Sequence, residues 1–267
     1  MRIRNWIILP TIFAFIACSS SEEKAPPEKS QAKETKTVVK QKGVEWSYTG
    51  AFGPKFWGDL DPSFNLCKEG NHQSPINLIY KAPAKPNPFV PMFVKSEASV
   101  LDTGNGIHIA VKGANSIKMR NSIYSLQHIE FHAPSEHQFS GKSFPAEMQF
   151  YHKNEKGFVA VVSVMLKEGD ALGVMDAVVK NLPPAKNSEQ EIDGKLDLIQ
   201  FLPKTRTLYN YAGSLTSPPC REGVNWIVLN TPVEVSKEQL DAIVTRYPAS
   251  NRPLQPLNDR VMVNYAD

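Results

Sequence analysis

Gln127-His128-Ile129-Glu130-Phe131-His132-Ala133-Pro134-Ser135-Glu136-His137 is the stretch that decides the fold of this chain and frames the question of its function. Its first half lies in a β-type run, Ser125 to His132. Alternation along a strand sends residues i, i+2 and i+4 to one face, about 6.6 Å apart per step. His128, Glu130 and His132 therefore share a face, where two imidazoles and a carboxylate could reach a common ion.

Outward from this segment the chain keeps the same character. Ile107-His108-Ile109-Ala110-Val111, Glu147 to His152, Phe158 to Leu166 and Trp226 to Leu229 are further β-type runs, separated by Gly, Pro, Asn and Ser clusters. Helical patterns are few and short, around Ala171 to Val179, Glu189 to Leu198 and Lys237 to Thr245. Twenty-one prolines point to many irregular connections, and there is no internal repeat. Residues 44–267 are long enough for one domain with a sizeable core, mainly β with peripheral helices.

The beginning of the chain is a different material. Arg2 and Arg4 precede a stretch, Trp6 to Ala17, that is apolar apart from Thr11 and too short to span a bilayer, so residues 1–17 read as a signal segment. Phe15-Ile16-Ala17-Cys18 resembles a bacterial lipobox, which would make Cys18 the lipidated first residue of the mature protein; an ordinary signal peptide is the alternative. Residues 19–43 hold four glutamates and six lysines against almost nothing apolar. Burial cannot offset the ordering entropy of such a segment, so 18–43 reads as a lipidated, disordered tether. The partner so implied is a membrane, and the location a bacterial cell envelope.

A formal net charge of +3 is small for 267 residues, and no basic block alternates with aromatics, which argues against nucleic acid as a partner. No protein or small-molecule partner is identified. Export places the domain where disulfides persist. With Cys18 committed to lipid, Cys67 and Cys220 remain and are expected to pair, free buried thiols being the alternative.

Several segments resemble α-class carbonic anhydrases and fall in that family's order. They are Trp46-Ser47-Tyr48-Thr49-Gly50, Gly53-Pro54 with Trp57, Gln73-Ser74-Pro75-Ile76, and Phe131-His132-Ala133-Pro134-Ser135-Glu136-His137. Gly213-Ser214-Leu215-Thr216-Ser217-Pro218-Pro219-Cys220, Trp226-Ile227-Val228-Leu229 and Asn251-Arg252-Pro253-Leu254-Gln255-Pro256-Leu257 complete the series. The resemblance covers essentially everything after residue 43. It implies a large, twisted, mostly antiparallel sheet of about ten strands with the site in a conical cleft. In active members of that family three histidines hold Zn²⁺, and the zinc-bound hydroxide that attacks CO₂ is known to form near pH 7.

Matched residue by residue, the resemblance puts Glu130 where the first zinc histidine belongs, His132 at the second and Gln149 at the third. Glutamate can bind zinc but cancels one unit of its charge, and a neutral amide oxygen is a poor zinc ligand beside imidazole. The expectation is a degraded site that holds zinc weakly, with no cofactor at full occupancy. Two arrangements remain open for Glu130. A shifted ion could use His128, Glu130 and His132; or Glu130 could accept hydrogen bonds from the Gln149 amide and a neighbouring histidine in a metal-free cluster.

Thr216 and Glu136 match the family's pair that orients the zinc hydroxide, Thr donating and Glu accepting. Val161, Leu215, Val224 and Trp226 match residues lining its apolar CO₂ pocket, which Tyr151 would crowd. Asn105 stands at the proton-shuttle position and cannot relay protons near neutral pH; His108 could face the same cleft as a substitute. His137 and His152 read as packing residues, His72 as a loop residue.

Three functions follow. One is a non-catalytic, carbonic-anhydrase-like envelope lipoprotein that binds something. The second is an enzyme that still interconverts CO₂ and bicarbonate, and the third an envelope metal-binding protein.

Overall fold

The computed structural model describes residues 36–37, 43–79 and 85–266. The chain divides into Met1–Ala32 and Lys33–Asp267, and every described residue lies in the second unit. The signal segment and Cys18 fall outside the described residues. Within the expected tether, Lys36–Thr37 form a two-residue antiparallel pairing with Ser188 and Glu189, so these two residues depart from a wholly unstructured segment.

A large sheet dominates the described residues, 14 strands in all. Its middle runs Ala98–Asp102, Ile107–Val111, Ser122–His132, Ala146–Lys153, Val159–Glu168, Glu222–Leu229 and Leu208–Ser214 as hydrogen-bonded neighbours. Pairing is antiparallel except between Val159–Glu168 and two neighbours, Glu222–Leu229 and Val233–Val235, and at one edge. Two-residue edge pieces such as Lys85–Pro86 bring the count above the ten or so expected.

Alternation divides the sheet into two apolar faces. Ile129, Phe131, Met148, Phe150, Val162, Val164, Ile227 and Leu229 belong to the larger core, under the helices Gly173–Lys180 and Lys237–Val244. Tyr151, Val161, Met165, Tyr211, Val224, Trp226 and Val228 form a second cluster on the opposite face. The second helix is fixed by Ser236, whose hydroxyl accepts from Gln239 N while the Gln239 side chain accepts from Ser236 N.

One helix expectation fails. Glu189 to Leu198 is not helical: Ser188–Glu191 is a strand paired with Ala98–Asp102, and only Leu198–Phe201 forms a 3₁₀ turn. Ser188 and Gln190 are buried while Glu191 is exposed, a period of two, and Gly194 at φ +81° breaks any continuation. The Cys67–Cys220 disulfide is present, joining the one-turn helix Leu66–Glu69 to the segment that follows Ser217.

Candidate functional site

Three adjacent strands build the polar floor of the site on the face of the smaller cluster. Cross-strand register sets Glu130 opposite both Gln149 and His108, His132 opposite Glu147, and His128 opposite Tyr151. Glu130, His132 and Gln149 are therefore neighbours, as their spacing and the family match require.

Gln149 is fully buried, and all of its polar capacity is directed within the site. Its amide nitrogen donates to Glu136 Oε2 at 2.8 Å and to Glu147 Oε1 at 2.9 Å; its oxygen accepts from the Tyr151 hydroxyl at 3.1 Å. Two carboxylates on the nitrogen side fix which way the amide points, because the reverse would set oxygen against oxygen. Glu147 also accepts from His137 N, His137 Nδ1 and the Ser163 hydroxyl. Burial would raise its pKa, but these partners outweigh burial and hold it down to about 2.

The Gln149 amide does not reach Glu130, contrary to one of the two arrangements left open above. Glu130 instead accepts from His128 Nε2 at 2.7 Å and lies 3.5 Å from both His108 Nε2 and His132 Nε2. Burial would raise this carboxylate too; His108, His128 and His132 together keep it well below the usual range. The shifted set of His128, Glu130 and His132 is also not the one that converges. Among the described residues, the ligand atoms that lie within 4.8 Å of one another are those of His108, His128 and Glu130.

His132 is held from the other side. Its Nδ1–H donates to the Ser250 carbonyl at 2.7 Å, and its buried Nε2 has no hydrogen bond of proper geometry despite the nearby Glu130. Burial would lower this imidazole, but the Glu136 and Glu130 carboxylates reverse the shift and raise it to about 10. Glu136 itself is raised by burial, Glu147 adding to the shift against the pull of His132, Thr216 and Arg252. Its Oε1 accepts from Arg252 N at 2.9 Å.

Thr216 Oγ1 is buried without a hydrogen-bond partner. It is near enough to Glu136 to pull its pKa down as the expected donor would, and the contact falls short only of proper hydrogen-bond geometry.

The remaining sequence candidates divide by position. Asn105 and His108 line one cleft of about 260 Å³ with Trp46, Tyr48, Glu130 and His132. Asn105 is tied to the Trp46 carbonyl. His108 does face the cleft, but burial holds its pKa down to about 4, a poor match for shuttling protons near neutral pH. Val161, Val224 and Trp226 are buried in the smaller apolar cluster with Tyr151, and Leu215 packs against them, so Tyr151 does take up space there. His137 donates from Nδ1 to Glu147 and meets the Tyr211 hydroxyl through Nε2, His152 is buried against Phe93, and half-exposed His72 meets Asp259: packing and loop roles, as expected.

Sequence reasoning gave no role to Ser250, Tyr48 or Arg252. Tyr48 stands edge-on to His132 at 6.2 Å, and the buried Arg252 guanidinium reaches Gln73, the Ser74 carbonyl and the Cys67 carbonyl. The last two lie in segments already distinguished, Trp46-Ser47-Tyr48 and Asn251-Arg252-Pro253; Ser250 carried no signal.

Do these residues fit a zinc ion at the position the resemblance implies? His132 Nε2 and Thr216 Oγ1 do, being buried polar atoms that lack partners. Gln149 does not, since its oxygen is engaged by Tyr151 and its nitrogen by two carboxylates. Glu130 gives one oxygen to His128 and holds the other 3.5 Å from His132 Nε2. One imidazole and one carboxylate oxygen fall short of the three protein ligands of a catalytic zinc site.

Comparison with known proteins places this geometry. The model of the eukaryotic-type carbonic anhydrase family matches residues 52–266. A carbonic anhydrase of Pectobacterium atrosepticum is 34% identical over 222 residues, covering 83% of this chain and 91% of that protein. Among solved structures, the α-carbonic anhydrase of Thermovibrio ammonificans in complex with sulfanilamide superposes with a TM-score of 0.80 at 36% identity, covering 83% of this chain and 99% of that one. Dioscorin complexed with ascorbate superposes with a TM-score of 0.75 at 29% identity, covering 84% and 98%.

Proposed function

The chain belongs to the α-class, eukaryotic-type carbonic anhydrase family, and from that premise we propose that it is a cell-envelope lipoprotein whose zinc site is degraded and whose cleft binds rather than catalyses. The observation that carries this reading is the locked amide of Gln149. A metal ligand must direct a lone pair at the ion, and here the amide oxygen is taken by Tyr151 while Glu136 and Glu147 hold the nitrogen. Rotating the amide to offer its oxygen elsewhere would strip a donor from both buried carboxylates, at a cost of about 1.5–3 kcal/mol each.

Support for binding comes from the cleft of about 260 Å³, whose walls carry Trp46, Tyr48 and Asn105 beside the imidazoles. Dioscorin, similar in fold, was crystallised with ascorbate, a small polar molecule. Support for the envelope comes from Arg2, Arg4, the apolar run to Ala17 and Cys18. Labelled palmitate should enter the wild-type chain and not Cys18→Ser; equal labelling of both would refute the anchor.

A second reading, an enzyme with a weakened metal site, is favoured by one observation: the unpartnered His132 Nε2 and Thr216 Oγ1. CO₂ hydration by the zinc-supplemented protein separates the two. The binding reading expects no rate above the uncatalysed reaction. A zinc-dependent rate lost in His132→Gln would establish the enzyme instead. Glu130→His with Gln149→His is the companion experiment, and should create zinc affinity at His132.

A further inference from the structure

We infer that His108, His128 and Glu130 form a divalent-cation site of the zinc class, beside the family's metal position and sharing only Glu130 with it. Each offers one ligand atom, and these atoms lie within 4.8 Å of one another. Donors around a tetrahedral ion with bonds of about 2.0–2.1 Å stand about 3.3 Å apart. His108 Nε2 and Glu130 Oε1 already meet that spacing at 3.5 Å. His128 Nε2, hydrogen-bonded to the same oxygen at 2.7 Å, needs to withdraw by about 0.6 Å when an ion replaces the shared proton.

Two imidazoles and a carboxylate are a donor set that zinc accepts, in the combination known from other zinc enzymes. The fold supplies it from two paired strands: His108 stands directly opposite Glu130, and His128 lies two residues before it on the same face. The His108 and His128 rings stack at 5.3 Å, and His128 stacks in turn on Tyr151 at 4.8 Å. One ring must tilt out of this stack to point its lone pair at a shared ion. Their side chains are 27% and 34% exposed, so the tilt meets no closed core.

His108 and Glu130 also line the cleft, which gives an ion a way in and leaves the fourth position open to water or to a ligand bound there. A carboxylate with 13% of its side-chain surface exposed, surrounded by three imidazole nitrogens, is an arrangement that a cation stabilises. His132 differs from the other two: its Nδ1 is bound to Ser250, and it lies on the Glu136 side of Glu130. The inference does not rest on the absence of catalysis, since an ion at His108, His128 and Glu130 is compatible with either reading of activity.

The test is titration of the metal-stripped full chain with Zn²⁺ by calorimetry and with Co²⁺ by visible absorption, whose intensity reports tetrahedral coordination. One ion per chain is expected, with affinity falling more than about tenfold in His108→Gln and again in His128→Gln. Folding of each variant is checked by circular dichroism. Because a variant can fail to fold, imidazole ¹⁵N shifts of the wild-type protein are read as well, and His108 and His128 should move on Zn²⁺ addition. No ion bound by the folded wild type would overturn the inference. So would binding abolished by His132→Gln and retained in His108→Gln, which would put the ion at the family's own position.

Discussion

Replacing Gln149 by leucine tests the lock at the centre of the site. Leucine nearly conserves volume and removes only the polar contacts. Glu136 Oε2 loses the donor held at 2.8 Å, and Glu147 Oε1 the one at 2.9 Å. Hydrogen bonds to charged groups contribute about 1.5–3 kcal/mol. Glu147 belongs at the lower end, because the same oxygen keeps His137 Nδ1 and the Ser163 hydroxyl. Glu136 belongs near the upper end with no substitute donor, because Arg252 N serves only its other oxygen, and at the lower end once the nearby Thr216 hydroxyl turns to it. Tyr151 loses its acceptor, for about 1 kcal/mol more. Against this total of about 4–6 kcal/mol stands roughly 1.5–3 kcal/mol for burying the leucine side chain. The net loss is about 2–3 kcal/mol.

Glu136 also supplies a dependence on pH. Its pKa is already raised by burial, and losing a donor raises it further, so taking up a proton relieves the variant as pH falls. Urea denaturation at pH 8 and pH 5 should therefore show a loss of about 2–3 kcal/mol at pH 8 and a clearly smaller one at pH 5. A loss below about 1 kcal/mol at pH 8 would mean that Gln149 is not committed to these carboxylates, and the argument against a metal ligand at this position would fall with it.

Two further outcomes are expected. Reducing the Cys67–Cys220 disulfide, or replacing both cysteines by alanine, should cost on the order of 5 kcal/mol, since it frees a loop with a sequence separation of 153; identical unfolding midpoints with and without reductant would refute this. Glu147, held down to about 2 in the folded chain against 4.5 for the free group, contributes stability that is complete above about pH 4.5 and lost as pH falls toward 2. About 2.5 pH units correspond to roughly 3 kcal/mol. Glu147→Gln should flatten the acid limb of the stability curve, and an unchanged acid limb would count against the pairing with His137 and Ser163.

Much of the architecture was legible because it rests on alternation and on segments in family order. Ser125 to His132 is read directly as a strand, and the structure extends it only to Ser122. The helix expected at Glu189 to Leu198 failed because charged residues carry little periodic signal. What decided the matter was pairing with Ala98–Asp102, about ninety residues away. The site shows the same division. Spacing put His128, Glu130 and His132 on one face, but which imidazole converges with Glu130 depends on cross-strand register, and register brings in His108. The Ser250 carbonyl that fixes the His132 ring lies 118 residues further on, with nothing local to announce it.

The unpartnered Thr216 hydroxyl follows from the identity of residue 149. A histidine ligating through one ring nitrogen has a single N–H left to donate, whereas the glutamine amide has two. Gln149 spends one on Glu147 and the other on Glu136 Oε2, while Arg252 N serves Glu136 Oε1. Both oxygens of Glu136 are thereby supplied without Thr216, whose Oγ1 is left without a partner. Restoring histidine at 149 returns Glu136 Oε2 to the state of an acceptor in need of a donor, and the nearby Thr216 hydroxyl is the group placed to provide one. The order of dependence runs from residue 149 through Glu136 to Thr216. A restored site should therefore need no change at either of the last two.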